Sequence, residues 1–173
     1  MFITRICSIC GLALVLALVG TGWAQTSKTI LSDHANHYRQ AASLLDQAQQ
    51  KLNAGDVSAA KSLAKEANSL FTLLQKECAS ELADRQINPK EEQQLAINQK
   101  FATDHIAQAD RLMEQAAANK QKGRELASQG QEGQSQKYYR QAKDENEQAQ
   151  QLFIRAQIFA LRNQQLIFSF LAP

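Results

Sequence analysis

The sequence predicts an all-α protein, and three observations carry that reading. Past residue 24, Ala and Gln dominate, followed by Leu, Lys and Glu, residues that lose little side-chain freedom in a helix. Two prolines, Pro89 and Pro173, and few β-branched residues leave little material for strands. Small and aliphatic side chains then recur every third or fourth position, the spacing that gathers them on one helix face. The expected architecture is an antiparallel four-helix bundle or two stacked long helical hairpins, preceded by a cleaved signal peptide.

Residues 1–24 carry the order of a secretory signal. Arg5 is the positive flank, Ile6 to Val19 is an almost uninterrupted apolar run, and Gly22-Trp23-Ala24 offers small residues to a signal peptidase. The expected cut lies between Ala24 and Gln25, and no Cys follows to receive a lipid. At about 14 residues the apolar run falls short of the roughly 20 a membrane-spanning helix needs. The expected destination is the periplasm or the outside of the cell, with no transmembrane anchor after cleavage and residues 25–173 forming one helical domain.

Arg5 is the only charged residue in the signal, so the formal charge falls from +2 to +1, 18 basic against 17 acidic residues. A chain this close to neutral offers no electrostatic footprint for nucleic acid. Cys7 and Cys10 leave with the signal, and Cys78 remains alone. With no internal disulfide available, packing alone must hold the exported domain together.

Four helices are expected, at about 33–53, 57–87, 90–128 and 135–171. Gln25 to Ile30 reads as a polar leader, and Ser32 or Asp33 can cap the first helix. Its stripe is Tyr38, Ala41, Leu45, Ala48 and Leu52. Gly55 suits the left-handed position after a helix end and Asp56 is a good N-cap for the second helix. That helix carries Ala60, Leu63, Ala67, Leu70, Leu74, Cys78 and Leu82, and must stop before Asn88-Pro89. Glu91 and Glu92 stand in the first turn of the third helix, where its dipole favours them. Its stripe is Leu95, Ala102, Ile106, Ala109, Met113 and Ala116, after which Gly123, Gly130 and Gly133 break up a polar stretch. The last turn is expected within Ser128 to Ser135, and the fourth stripe uses Tyr138, Ala142, Ala149, Leu152 or Phe153, Ala156, Phe159, Leu166 and Phe170. Small Ala at so many seam positions favours long, thin coiled-coil packing.

The segment Gly55-Asp56-x3-Ala60-x3-Ala64-x2-Ala67 resembles the second half of a tetratricopeptide repeat, where a Gly-Asp turn precedes a helix with small residues at these offsets. The resemblance covers about a tenth of the chain; no Pro closes the unit near Thr72, and the first helix lacks the family's aromatic. What it implies is a protein-binding scaffold.

No catalytic signature occurs: no Gly-rich phosphate loop, G-x-S-x-G, H-E-x-x-H or E-x-x-H. The expected function is therefore non-enzymatic, as adaptor, scaffold or holdase, through contacts with another envelope or secreted protein, a second copy of the chain included. Two constellations stand out. His34 and His37 lie one turn apart, and counting about 1.5 Å per residue from the turns brings Cys78 and His105 to a similar height. Imidazole and thiolate are ligands for zinc or copper, so a small metal-binding bundle using His34, His37, Cys78 and His105 is the alternative. The C-terminal run Leu166, Ile167, Phe168, Phe170 and Leu171 is apolar around most of its circumference, either as a docking surface or as the core-buried end of the last helix.

Overall fold

A computed structural model describes residues 26–172, with side chains from Asp33 onward. The expected signal peptide and its cleavage point lie outside the described residues. All regular structure in that range is helical: α1 (Thr26–Asn53), α2 (Val57–Glu77), a short α3 (Ala79–Ala83), α4 (Pro89–Ser128) and α5 (Glu132–Ile167), closed by a 3-10 turn at Ser169–Leu171.

The turns form where local chemistry demands. Gly55 sits at φ 82, and the amides of Gly55 and Asp56 return to the carbonyls of Leu52 and Lys51, satisfying the end of α1. The Asp56 carboxylate then accepts from the Ala59 amide at 3.0 Å to start α2. The same closure recurs after α4, with Gly130 at φ 73 and Gln131 N–H bonded to Leu126 O. At the start of α4, Asn88 Oδ1 accepts from the amides of Lys90 and Glu91 while Glu91 Oε2 accepts from Asn88 N–H, a complete capping box with Pro89 in the first helical position.

Several boundaries differ from the sequence expectation. α1 begins at Thr26, so Ser32 and Asp33 lie inside a helix rather than capping one; no Gly or Pro from Thr26 to Ser32 stops propagation from the amphipathic segment. The second helix ends at Glu77, ten residues before the expected 87. The chain must then cross the end of α5 to place α4 on its far side, and a short α3 followed by non-helical 84–88 makes that crossing. Gly123 does not break α4 but is buried in its packed face, and α5 begins at Glu132.

Two hairpins share one helix. α1 pairs with α2, α4 pairs with α5, and α1 and α2 both lie along the C-terminal half of α5. Among the described residues α4 therefore packs chiefly on α5, and they form no common four-helix core. α5 manages this with two opposed faces: Ala142, Ala149 and Ala156 face α4, while Ile154, Ile158 and Leu161 join the core built with α1 and α2. That core contains Leu45, Leu52, Phe71, Leu74 and Phe168, with the Phe71 and Phe168 rings stacked at 6.2 Å. It ends at Ile154, so among the described residues the outer part of α4 and α5 continues as a two-helix arm without a third helix against it.

The arm has its own code. Buried Ala102, Ala109, Ala116 and Gly123 stand seven residues apart on α4, and buried Ser135, Ala142, Ala149 and Ala156 do so on α5. Between them fall His105, Leu112, Asn119 and Leu126 on one helix and Tyr138, Glu145, Leu152 and Phe159 on the other, giving the alternating four–three spacing of a left-handed supercoil. Small side chains let the backbones approach closely: a Cβ added at Gly123 would lie 3.3 Å from the Ser135 carbonyl. Ile106 and Met113, expected in the seam, are instead exposed beside it.

Candidate functional site

The end of α2 and the start of α1 assemble part of the histidine–cysteine layer. Cys78, completely buried, sits with Sγ 3.4 Å from His34 Nδ1, and the opposite nitrogen of His34 lies 3.3 Å from Glu77 Oε2. His37 Nδ1 stands 4.0 Å from the same oxygen. Burial pushes the Cys78 thiol up, and the carboxylates of Glu81 and Glu77 push it further the same way. A thiol kept protonated can donate to an unprotonated Nδ1, and in that arrangement Nε2–H faces the Glu77 carboxylate. Nearby Glu81 is held below its ordinary carboxylate value, chiefly by the Ser80 hydroxyl, then by its own backbone amide, with His34 adding a smaller effect. Nucleophile, base and carboxylate are thus in line, yet a neutral, solvent-excluded thiol is a poor nucleophile.

His105 does not join this layer. Its Nδ1 lies 2.7 Å from Phe101 O one turn back, and its ring packs on Phe159 at 5.6 Å. Heights counted along helices ignore which face a residue occupies, and His105 faces α5 rather than α1. Among the described residues, no group of three or more His, Cys, Asp or Glu side chains is arranged to hold a metal ion.

At the C-terminus the apolar run divides between core and surface. Phe168 and Leu171 are buried in the core and Ile167 packs against it. The helix breaks at Phe168, and the 3-10 turn rotates Leu171 inward. Arg85 secures the break, donating to Leu166 O at 2.9 Å, Ser169 Oγ at 3.1 Å and Glu91 Oε1 at 2.7 Å. Leu166 is half-buried, and Phe170, beneath the Arg85 guanidinium, is exposed.

Because α4 lies across α5 from the first hairpin, a groove opens on each side of α5. The α1-side groove, ≈ 410 Å³, is lined by Tyr38, Asn98, Phe159, Arg162 and Gln165. Its arginine is already engaged, with Nη2 on Asp46 and Nη1 on Gln165, both at 2.7 Å. Burial raises the Tyr38 phenol, opposed by a hydrogen bond from Gln165 and by the Arg85 charge. The α2-side groove, ≈ 620 Å³, has Asn68 on one wall and Leu95, Ala160, Leu161 and Ile167 among its apolar lining. Its helical register continues along the arm, through Ile106 and Met113 on α4 and Phe153 and Tyr139 on α5. Ile106, Met113 and Tyr139 are 44%, 48% and 39% exposed.

Sequence reasoning missed this face because it placed Ile106 and Met113 inside. The seven-residue spacing of small residues in both helices was the available signal: it identifies the seam and puts residues four positions on at its edge. No helix among the described residues is long and apolar enough to cross a membrane. Comparisons with protein-family models, curated proteins and solved structures find no match to this chain.

Proposed function

We propose that this chain is an exported, non-enzymatic helical protein that works through protein contacts, with the α4/α5 arm as the contacting element. The observation that carries the reading is the α2-side face of the arm, where Ile106, Met113 and Tyr139 stay exposed beyond the end of the core. Large apolar side chains grouped on one face of an extended element are the usual mark of an interaction surface. The signal-like residues 1–24 support the export half of the reading, and the partner would be another envelope or secreted protein or a second copy. A photo-crosslinking amino acid at Met113 tests the contact half in cells. The expected result is discrete protein adducts at Met113 and none with the same group at Arg111, on the outer edge of α4. Equal labelling from the two positions would overturn it. An intact N-terminus still beginning at Met1 in the purified native protein would overturn export by cleavage.

A second reading, metal binding, is favoured by the His34–Cys78 pair. Its 3.4 Å separation is close to the roughly 3.5 Å between a nitrogen and a sulfur on one tetrahedral zinc. Equilibrium dialysis with zinc or copper tests it; binding unchanged by His34→Ala with Cys78→Ala would end it.

A further inference from the structure

We infer that the occupant of the arm's α2-side face is the arm of a second copy, laid antiparallel; this rests on the contact reading above and names its partner.

The first argument is the repeat. On α4 the face is carried by Ile106, Met113 and Lys120, and on α5 by Tyr139, Asn146 and Phe153, each set spaced by seven. On a left-handed supercoil a seven-residue stripe stays straight along the element, so the surface it accepts must follow the same supercoil. The face is also continuous with the α4/α5 seam, being the row of positions next to the buried Ala and Gly. Two arms placed face to face extend that packing into four helices. The element needs such cover: its own seam buries chiefly Ala, Gly and Ser, far less apolar area than a Leu seam would.

The second argument is charge. Beside the face near the base stands Asp110; toward the tip the face ends on Lys120, with Arg124 beside it and Lys143 paired to Glu147 at 3.7 Å, all exposed. Parallel arms would set acidic beside acidic and basic beside basic heights. Antiparallel arms with the two-fold axis near Asn146 bring Asp110 of one copy to the height of Lys120 in the other, twice per dimer. The same axis sets Tyr139 opposite Phe153, so the tip ring of each copy covers the base ring of the other.

The third argument is area. An arm of about 22 residues per helix is about 33 Å long and about two helix diameters wide, a footprint on the order of 600 Å² before side-chain relief. That is comparable with the roughly 800 Å² per partner of a specific interface.

Sedimentation velocity on the chain beginning at Gln25 tests the inference, with circular dichroism to confirm that each variant keeps its helix content. The wild type is expected to dimerise at about 10–100 µM, an affinity suited to an interface at the lower end of that range. Asp110→Lys and Lys120→Asp are each expected to weaken the dimer about tenfold, and the double reversal D110K/K120D to restore it to within about threefold. Asp110 and Lys120 lie ten residues apart on one helix, so intrachain contact cannot produce the rescue. A wild type that stays monomeric at about 200 µM, or single reversals that leave the dimer unchanged, or a double reversal as weak as its parents, overturns the antiparallel second copy. Monomeric protein whose Met113 still cross-links to a different protein sinks this inference alone; Met113 labelling no stronger than Arg111 sinks the contact reading with it.

Discussion

The two ends of α5 show two ways of holding helices together. From Ile154 onward α5 is embedded among large side chains of α1 and α2, with stacked Phe71 and Phe168 at the centre. From Glu132 to about Phe153 the same helix meets, among the described residues, only α4, across a seam of Ala, Gly and Ser crossed by one hydrogen-bonded polar layer. The first half draws its stability from apolar area removed from water, the second from close backbone approach and polar pairing. The difference predicts a rigid body carrying an arm that opens more easily.

Truncating the body should have the largest effect. Phe168→Ala removes a fully buried ring from between α1, α2 and α5, and a loss of about 3–5 kcal/mol is expected from the missing transfer energy plus the cavity. Urea denaturation reads it directly. A loss below about 1 kcal/mol would mean the C-terminal turn is not part of the core.

The arm should respond to the opposite change. Gly123→Leu forces a side chain into the space taken by the Tyr139 ring and the Ser135 carbonyl, and about 1–3 kcal/mol of local destabilisation follows from overpacking. Hydrogen exchange separates the regions: amides from 110 to 128 should exchange faster in the variant while those from 60 to 74 keep their protection. Equal acceleration in both would show one cooperative unit rather than two.

A smaller effect is expected at the polar layer, where Asn119 Nδ2 donates to both oxygens of Glu145 at 2.8 and 2.9 Å. Asn119→Ala leaves a half-buried carboxylate without its donor, costing about 1–2 kcal/mol. Replacing both residues by Leu should recover most of that, because no charge is then left unpaired. A double-mutant cycle with no coupling would reduce this layer to a surface contact.

The same contrast explains what the sequence made legible. α1 was readable because Ala41, Leu45, Ala48 and Leu52 are both apolar and buried, so hydropathy and position agree. On α2 the stripe was nearly right but favoured Leu63 and Leu70 over the deeper Ala64 and Phe71, one position away on the same broad face. In the arm hydropathy misleads: Ser135 and Gly123 are buried while Ile106 and Met113 are exposed. A seam whose defining property is smallness does not register as hydrophobic, although its seven-residue repeat is visible once size is tracked. Of the histidine–cysteine layer, the adjacency of His34 and Cys78 followed from the antiparallel α1/α2 hairpin, a single short turn whose register Gly55 and Asp56 fix. His105 was misplaced because two further turns and a crossing segment separate it from that register, each adding an unknown rotation.

The least effect, and the most specific to the body, concerns pH. Cys78 has its thiol raised from its ordinary 9.0 by burial and by Glu81 and Glu77, so the folded state holds the proton more tightly than the unfolded chain does. Above the unfolded value the unfolded chain releases that proton while the folded one retains it, and stability must fall as pH rises toward the folded value. Below about pH 8 the group contributes no slope, since both states are protonated. Thermal melts of the wild type and Cys78→Ala from pH 7 to 10.5 isolate the contribution: the variant is less stable at pH 7 through its lost packing, and the gap should narrow steadily above pH 9. Tyr38, whose phenol burial also raises, titrates in both proteins and cancels in the difference. A gap that stays constant to pH 10.5 would mean the thiol ionises as readily inside the body as outside it, and that Cys78 is not held buried against His34 in solution.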